Sequence, residues 1–390
     1  MTDSVAAEFF GDETTLTLAE LTTLKVGGKP HAYTSVDHES EIVEAVREVD
    51  SAGEPLLVLG GGSNVVVADQ GFPGTVLRDA RSDIRVVDDS ACGGTTLRVS
   101  AGTTWDELVA YTIAQHLVGL EALSGIPGSS GAAPVQNIGA YGREVAENLA
   151  TVRAYDRLSG EIRTIPRAAL KLGYRDSLLK QSFSDPDVGG GRTWGPTGRW
   201  IVLEIELQLQ EGELSAPVRY RELANRLEIE VGERADIRDV RRAVLELRRS
   251  KGMVLSPDDH DTWSAGSFFT NPILTEKQAG ELLPEGAPRF AVEDRSMVAA
   301  ANPNSAAPKV PGVVKTSAAW LINHAGFEKG WRVAPGAPAS LSTKHVLALT
   351  NRGGANTSDI VELARAVHDG VLERFGIELV PEPVLVGVEM

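Results

Sequence analysis

The sequence predicts a multi-domain α+β protein, and three observations carry that prediction. At 390 residues the chain exceeds what one ordinary core accommodates, so two or three domains are expected. Short apolar strands alternate with amphipathic helices, divided by glycine- and proline-rich turns. Finally, an apolar strand at 55–59 runs into Gly60-Gly61-Gly62-Ser63-Asn64 and straight out into Val65-Val66-Val67. A Rossmann turn must lead into a helix whose N-terminus holds a pyrophosphate, and here a strand follows instead.

Charge and composition narrow the class. The chain carries 38 basic and 54 acidic residues, a net of −16, which argues against nucleic acid as a general partner. A single cysteine, Cys92, excludes an internal disulfide framework and a cysteine-based metal cluster, so no metal site is expected. The first residues, MTDSVAAEFFGDE, are acidic where a signal peptide is basic, and no apolar run approaches membrane-spanning length. A soluble cytoplasmic protein, monomeric and without a membrane partner, is expected.

Taken in order, residues 1 to about 20 read as a loose tail. A strand at 31–36 and a helix at 40–49, with Ile42, Val43, Val46 and Val49 on one face, open the organised chain. After the glycine turn, 75–101 is strand-like, and Thr104-Trp105-Asp106-Glu107 reads as a capping-box start to a helix. Ser63 lacks the second glycine of the GxSxG nucleophile elbow, where Val65 stands instead. Residues 151–165 read as two strands joined through Ser159-Gly160, 185–199 as a mobile loop, and 200–210 as a strand. A boundary follows near 211–216. Next comes an amphipathic helix at 236–251, whose Arg241, Arg248, Arg249 and Lys251 gather toward its end. Such residues complement a helix C-terminus, and they are also where an acidic protein could hold a diphosphate. Residues 283–315 read as a long irregular excursion; Gly312-Val313-Val314-Lys315-Thr316 lacks the glycine before lysine that a P-loop requires. Residues 318–323 read as a helix, 346–350 as a strand and 358–375 as a helix ended by Gly376.

The stretch 124–142, SGIPGSSGAAPVQNIGAYG, is the densest in glycine and small residues. Backbone N–H groups there can meet a ligand with almost no side chain in the way, as a phosphate or pyrophosphate requires. Gln136 and Asn137 could hydrogen-bond a ring or sugar. By composition alone a glycine-rich surface loop fits as well.

GGGSN at 60–64, this stretch, GYRDS at 173–177 and AGSFFTNP at 265–272 occur together and in that order. In this the chain resembles the UDP-N-acetylenolpyruvoylglucosamine reductases, flavoenzymes that complete UDP-N-acetylmuramate for peptidoglycan. The similarity runs from about Leu21 to Gly387. It implies a two-lobed FAD-binding domain of the vanillyl-alcohol-oxidase/p-cresol-methylhydroxylase type at 21–212, with lobes at about 21–80 and 81–212. A C-terminal substrate-binding α+β domain at 215–390 would follow, its last strand returning toward the flavin site. FAD and NADPH would be the cofactors and a UDP-sugar the substrate.

The resemblance also assigns residues. Arg175 aligns with the family's catalytic arginine at the substrate carboxylate, Ser267 with its proton donor and Glu382 with its catalytic glutamate. Flavin would be held by Gly60, Gly61, Gly62, Ser63, Asn64, Gly125, Ile126, Gly128, Ser129, Asn137, Gly139 and Arg248. Substrate would be held by Tyr174, Tyr220, Lys251 and Asn271. Tyr220 matches a loop tyrosine of one structural class of the family. Two departures stand out: Val384 occupies a position that often carries a basic residue touching the flavin, and His324 has no role to inherit. A flavin oxidase of the same fold and a catalytically silent nucleotide-sugar sensor are the competing classes; fold alone does not separate them.

Overall fold

Ile42, Val43, Val46 and Val49 recur at helical spacing, and the helix Glu39–Ala52 buries all four, ending where Gly53 turns left-handed at φ 69°. This helix crosses between two strands of a three-stranded parallel sheet, Pro30–Val36 and Leu56–Val58, with Phe72–Asp79 between them. The computed structural model describes residues 16–90, 94–294 and 307–390; Cys92 and the first fifteen residues lie outside it.

A larger antiparallel sheet follows, in the order Glu161–Pro166, Leu149–Asp156, Trp200–Glu211, Gly94–Ser100, Ile84–Ser90, with Leu117–Val118 added to the far end of Trp200–Glu211. Alternation along Trp200–Glu211 puts Ile201, Leu203, Ile205, Leu207 and Leu209 in the interior. The buried Leu97, Val99, Val152 and Leu207 of the sheet share one core with the helix Trp105–Ala114, whose Trp105, Leu108 and Val109 are fully buried. Each such side chain contributes roughly 1.5–3 kcal/mol of burial.

The third unit packs Ile360, Leu363, Val367 and Val371 of the helix Thr357–Phe375 against Leu321 and Ile322 of the helix Ala318–His324. Leu24, Val26 and Val66 of the N-terminal segment enter the same core. The strand Val384–Val386 pairs in parallel with Val65–Val67, directly after the first glycine turn.

Several expectations are corrected. Leu18–Leu21 is helical and Leu18 fully buried, so the tail ends before it. Thr104 makes no side-chain cap; Asp106 instead accepts from Gly125 N–H at 2.6 Å and binds Arg241 through both oxygens. The 185–199 segment is packed: Pro186–Gly189 is a helical turn, and Trp194, 6% exposed, donates to the Gly189 carbonyl while the guanidinium groups of Arg157 and Arg192 lie over its ring. The region read as irregular from 283 to 315 contains the strands Phe290–Glu293 and Lys309–Lys315, in a sheet with Ile273–Thr275. The strand expected at 346–350 is Leu349–Asn351, because 342–348 is a turn stapled by Ser342 Oγ, which accepts from Lys344 and His345 N–H.

Candidate active site

Two glycine turns meet back to back. A β-carbon on Gly61 would lie 2.7 Å from the Cα of Gly128, so these backbones approach as only glycines can. Gly128 sits at φ 121°, and its carbonyl accepts from Trp105 N–H at 3.0 Å, which ties the second turn to the start of a helix. Together the turns form one wall of a cavity of about 520 Å³, within the range of cofactor sites.

The opposite wall comes from three distant segments. Gly173 and Asp176 exchange backbone hydrogen bonds around a tight turn that holds Arg175 at φ 55°, aiming its guanidinium inward. Arg175 donates through Nη2 to the Gly139 carbonyl at 2.8 Å. Its Nε stands 3.1 Å from Glu382 Oε1, an ion contact without hydrogen-bond geometry. Glu382 is held on both sides: its N–H donates to the Phe268 carbonyl, and its carbonyl accepts from Asn64 Nδ2. The same Phe268 follows Ser267, so serine and glutamate ride on adjacent backbones anchored by two fully buried rings, Phe268 and Phe269. The Ser267 hydroxyl makes no hydrogen bond among the described residues.

All residues assigned above line this cavity except Gly125 and Asn137. Gly125 is turned away: its N–H is engaged by Asp106, and a β-carbon on it would strike Leu245. Asn137 is wholly buried, donating to Glu144 and the Gly173 carbonyl and accepting from Ala146 N–H. Its amide braces the arginine turn rather than facing a ligand. The basic helix end also divides, since Arg241 is spent on Asp106 and Arg249 is exposed, leaving Arg248 and Lys251 at the cavity. Lys251 meets the Glu222 carboxylate. Tyr220, 46% exposed, begins the helix Arg221–Leu227 and packs edge-on against Tyr141 at 5.6 Å. Tyr174 accepts from Asn271 N–H at 3.3 Å, while Asn271 Oδ1 caps the helix Ala318–His324. His324 stacks on Trp320, outside the cavity.

Among the lining residues that the sequence reading left unmentioned are Tyr141, Lys180 and His345, while Gln136, read there as a possible partner of a ring or sugar, lines the cavity too. Burial pushes the Tyr141 hydroxyl up to about 12, with Arg248 pulling the other way. Burial, followed by the charges of Lys251 and Lys329, lowers His345 to about 4. Leu347 N–H donates into its Nδ1, so the neutral ring carries its hydrogen on Nε2.

What this cavity is built to hold can be read from its unpaired atoms. Gln136 Nε2, Arg175 Nε and Arg248 Nε are buried without a hydrogen-bond partner, and all three residues line it. Buried donors are almost always satisfied, so an elongated ligand with acceptors near each is expected. Burial lowers the Arg248 pKa, yet a guanidinium stays charged, so it calls for an anion. Glycine backbone, a buried arginine and an apolar floor suit FAD.

Comparison with known proteins agrees. Residues 30–165 match the family model described as an FAD binding domain, and residues 257–386 match UDP-N-acetylenolpyruvoylglucosamine reductase, C-terminal domain. The reductase of Cutibacterium acnes is 51% identical over 370 residues, 95% of this chain and 89% of the relative. The chain belongs to the UDP-N-acetylenolpyruvoylglucosamine reductase family. The Saccharopolyspora erythraea reductase is 50% identical over 95% of this chain and 94% of its own. The solved structure of the Thermus caldophilus reductase aligns with a TM-score of 0.59 at 26% identity, over 95% of this chain and 97% of that one. Membership of the reductase family makes the protein an FAD-dependent oxidoreductase of peptidoglycan synthesis.

The cradle yields a test. A β-carbon on Gly128 meets no protein atom within 4 Å except Ser63 Oγ at 3.3 Å, so bulk there enters the cradle. Gly128→Val is expected to fold and to purify with little or no flavin. Gly128→Ala carries the same backbone strain, on the order of 1–3 kcal/mol, and should retain more. Equal flavin content in all three proteins would relocate the pyrophosphate.

Proposed function

We propose that the protein uses NADPH to reduce the enolpyruvyl group of UDP-N-acetylglucosamine enolpyruvate, giving UDP-N-acetylmuramate. What supports this reading is the convergence of Arg175, Ser267 and Glu382 on one cavity beside the glycine cradle. FAD, when bound, would supply the redox chemistry by which reducing equivalents of NADPH reach the enolpyruvyl double bond. Arg175, assisted by Glu382, stabilises the negative charge that then develops at the substrate carboxylate; a guanidinium binds a carboxylate with two donors and keeps its charge. Ser267 delivers the proton to the carbon bearing that carboxylate. Gly60, Gly61, Gly62, Gly128 and Ser129 cradle the cofactor, with Arg248 as its buried counter-charge. Tyr174, Lys251 and Asn271 bind the UDP-sugar, and Tyr220 closes over it. In this reading 21–212 is the flavin-binding unit and 215–390 the substrate-binding unit. The enzyme works in the cytoplasm as a monomer. Among the described residues no helix is long and apolar enough to cross a membrane.

An oxidase of the same fold has no use for a serine donor beside an arginine–glutamate pair, and a sensor has none for flavin. The deciding experiment is an anaerobic titration of the purified protein. Flavin absorbance should be near stoichiometric, bleach with NADPH and return when the enolpyruvyl substrate is added. A colourless protein that cannot be reconstituted with FAD rules the reading out, and return of colour only with oxygen favours an oxidase.

A further inference from the structure

We propose that Lys180 is a positioning residue of this active site, holding the Arg175 turn in the left-handed conformation that aims the guanidinium at the substrate carboxylate. The inference rests on the carboxylate-binding reading of Arg175 and deepens it. Arg175 is one of few non-glycine residues with positive φ, at 55°, a conformation that costs about 1–2 kcal/mol and needs support. Its carbonyl, turned out of the helix that follows, accepts from one described group, the Lys180 ammonium at 3.2 Å. Lys180 lies on the single helical turn Leu178–Gln181, which Ser177 caps by accepting Lys180 N–H at 3.0 Å. Ser177 Oγ in turn donates to the Val135 carbonyl at 2.7 Å, and Gln181 Nε2 donates to Asp176 at 2.6 Å. The lysine is therefore fixed at both ends: backbone and cap on one side, the Arg175 carbonyl on the other.

Lys180 also lines the cavity. The charged groups around it are Arg175 and Asp176 of its own turn and Glu382 of the C-terminal segment. Burial lowers the Lys180 pKa, with Glu382 and Asp176 opposing and Arg175 reinforcing. Its charge is thus lost at a lower pH than that of an ordinary lysine. A charged donor makes a stronger bond to the carbonyl than a neutral amine. The turn is held best below that pKa and released as pH rises through it.

The test uses the flavin-loaded protein and follows the two half-reactions separately by stopped flow. Lys180→Met should keep flavin content and thermal midpoint, and reduce with NADPH at the parental rate. Its reoxidation by the enolpyruvyl substrate should slow, on the order of 10²-fold, as a misplaced catalytic group does. Lys180→Arg should restore most of that rate and abolish the alkaline decline, because a guanidinium does not titrate there. In an Arg175→Met background the Lys180 substitution should add nothing, since it acts through the arginine. Additive losses, equal slowing of both half-reactions, loss of flavin, or a parental rate in Lys180→Met would each overturn the proposal. A parental rate in Arg175→Met alone would instead overturn the reading of Arg175 on which it rests.

Discussion

Ser267→Ala is expected to bleach with NADPH at nearly the parental rate and then to remain reduced when the enolpyruvyl substrate is added without oxygen. Removing the hydroxyl leaves no buried partner unsatisfied, because Ser267 Oγ makes no hydrogen bond among the described residues. The backbone around it is held independently, by Phe268 N–H on the Leu347 carbonyl at 2.7 Å and by Glu382 N–H on the Phe268 carbonyl at 2.8 Å. The fold, the cradle and Glu382 should therefore stay where they are, and the lost function is the positioned acid alone. Such a group contributes on the order of 10²–10⁴-fold, so the second half-reaction should fall by that amount. Reoxidation by substrate as fast as in the parent would remove Ser267 from the mechanism and leave Glu382 or a bound water as the donor.

Arg175→Met should have an effect of similar size on the same half-reaction by a different route. Its guanidinium bridges two elements, donating to the Gly139 carbonyl while standing 3.1 Å from Glu382. Without it, the Glu382 carboxylate and the proposed substrate carboxylate would lose the guanidinium that stands beside Glu382. Deleting one preorganised charge-stabilising donor from a water-poor site costs on the order of 10²–10³ in rate. Arg175→Lys keeps the charge but not the two-donor fork, so an intermediate rate is expected. The measurement is the single-turnover reoxidation rate against substrate concentration. A weaker affinity with an unchanged limiting rate would make Arg175 a ground-state anchor, and no change in either would exclude it from the site.

How much of this was readable beforehand depends on how local the cause was. The glycine turns were legible because close backbone approach demands glycine, and Gly61 against Gly128 is such an approach. The helices at 39–52 and 357–375 were legible because their apolar faces repeat at helical spacing. Asn137 was misread because a polar residue among glycines can serve a ligand or brace buried backbone, and only the fold chooses. Lys180 and His345 carried no signal at all: each reaches the cavity through a turn whose shape is set by tertiary contacts, at Arg175 for one and at Ser342 for the other. Trp194 offered a clue that was passed over, since a tryptophan in an aperiodic, glycine-rich stretch has to be buried against something. The short strands around 290 and 310 were hidden by proline and alanine, which have little strand propensity of their own.

The parallel ladder of Val384–Val386 on Val65–Val67 bears on how the protein is made. Asn64 and Glu382, which it draws together, are 318 positions apart, so the glutamate reaches the cradle only after nearly everything between has been translated. Chains fold from the N-terminal side as they emerge from the ribosome, and the first two lobes can assemble while the third is still being synthesised. A nascent chain at that stage has a glycine cradle but neither Glu382 nor the strand that steadies Asn64. Glu382 thus joins the glycine turn only once the third unit has been made, with the closing of a single ladder.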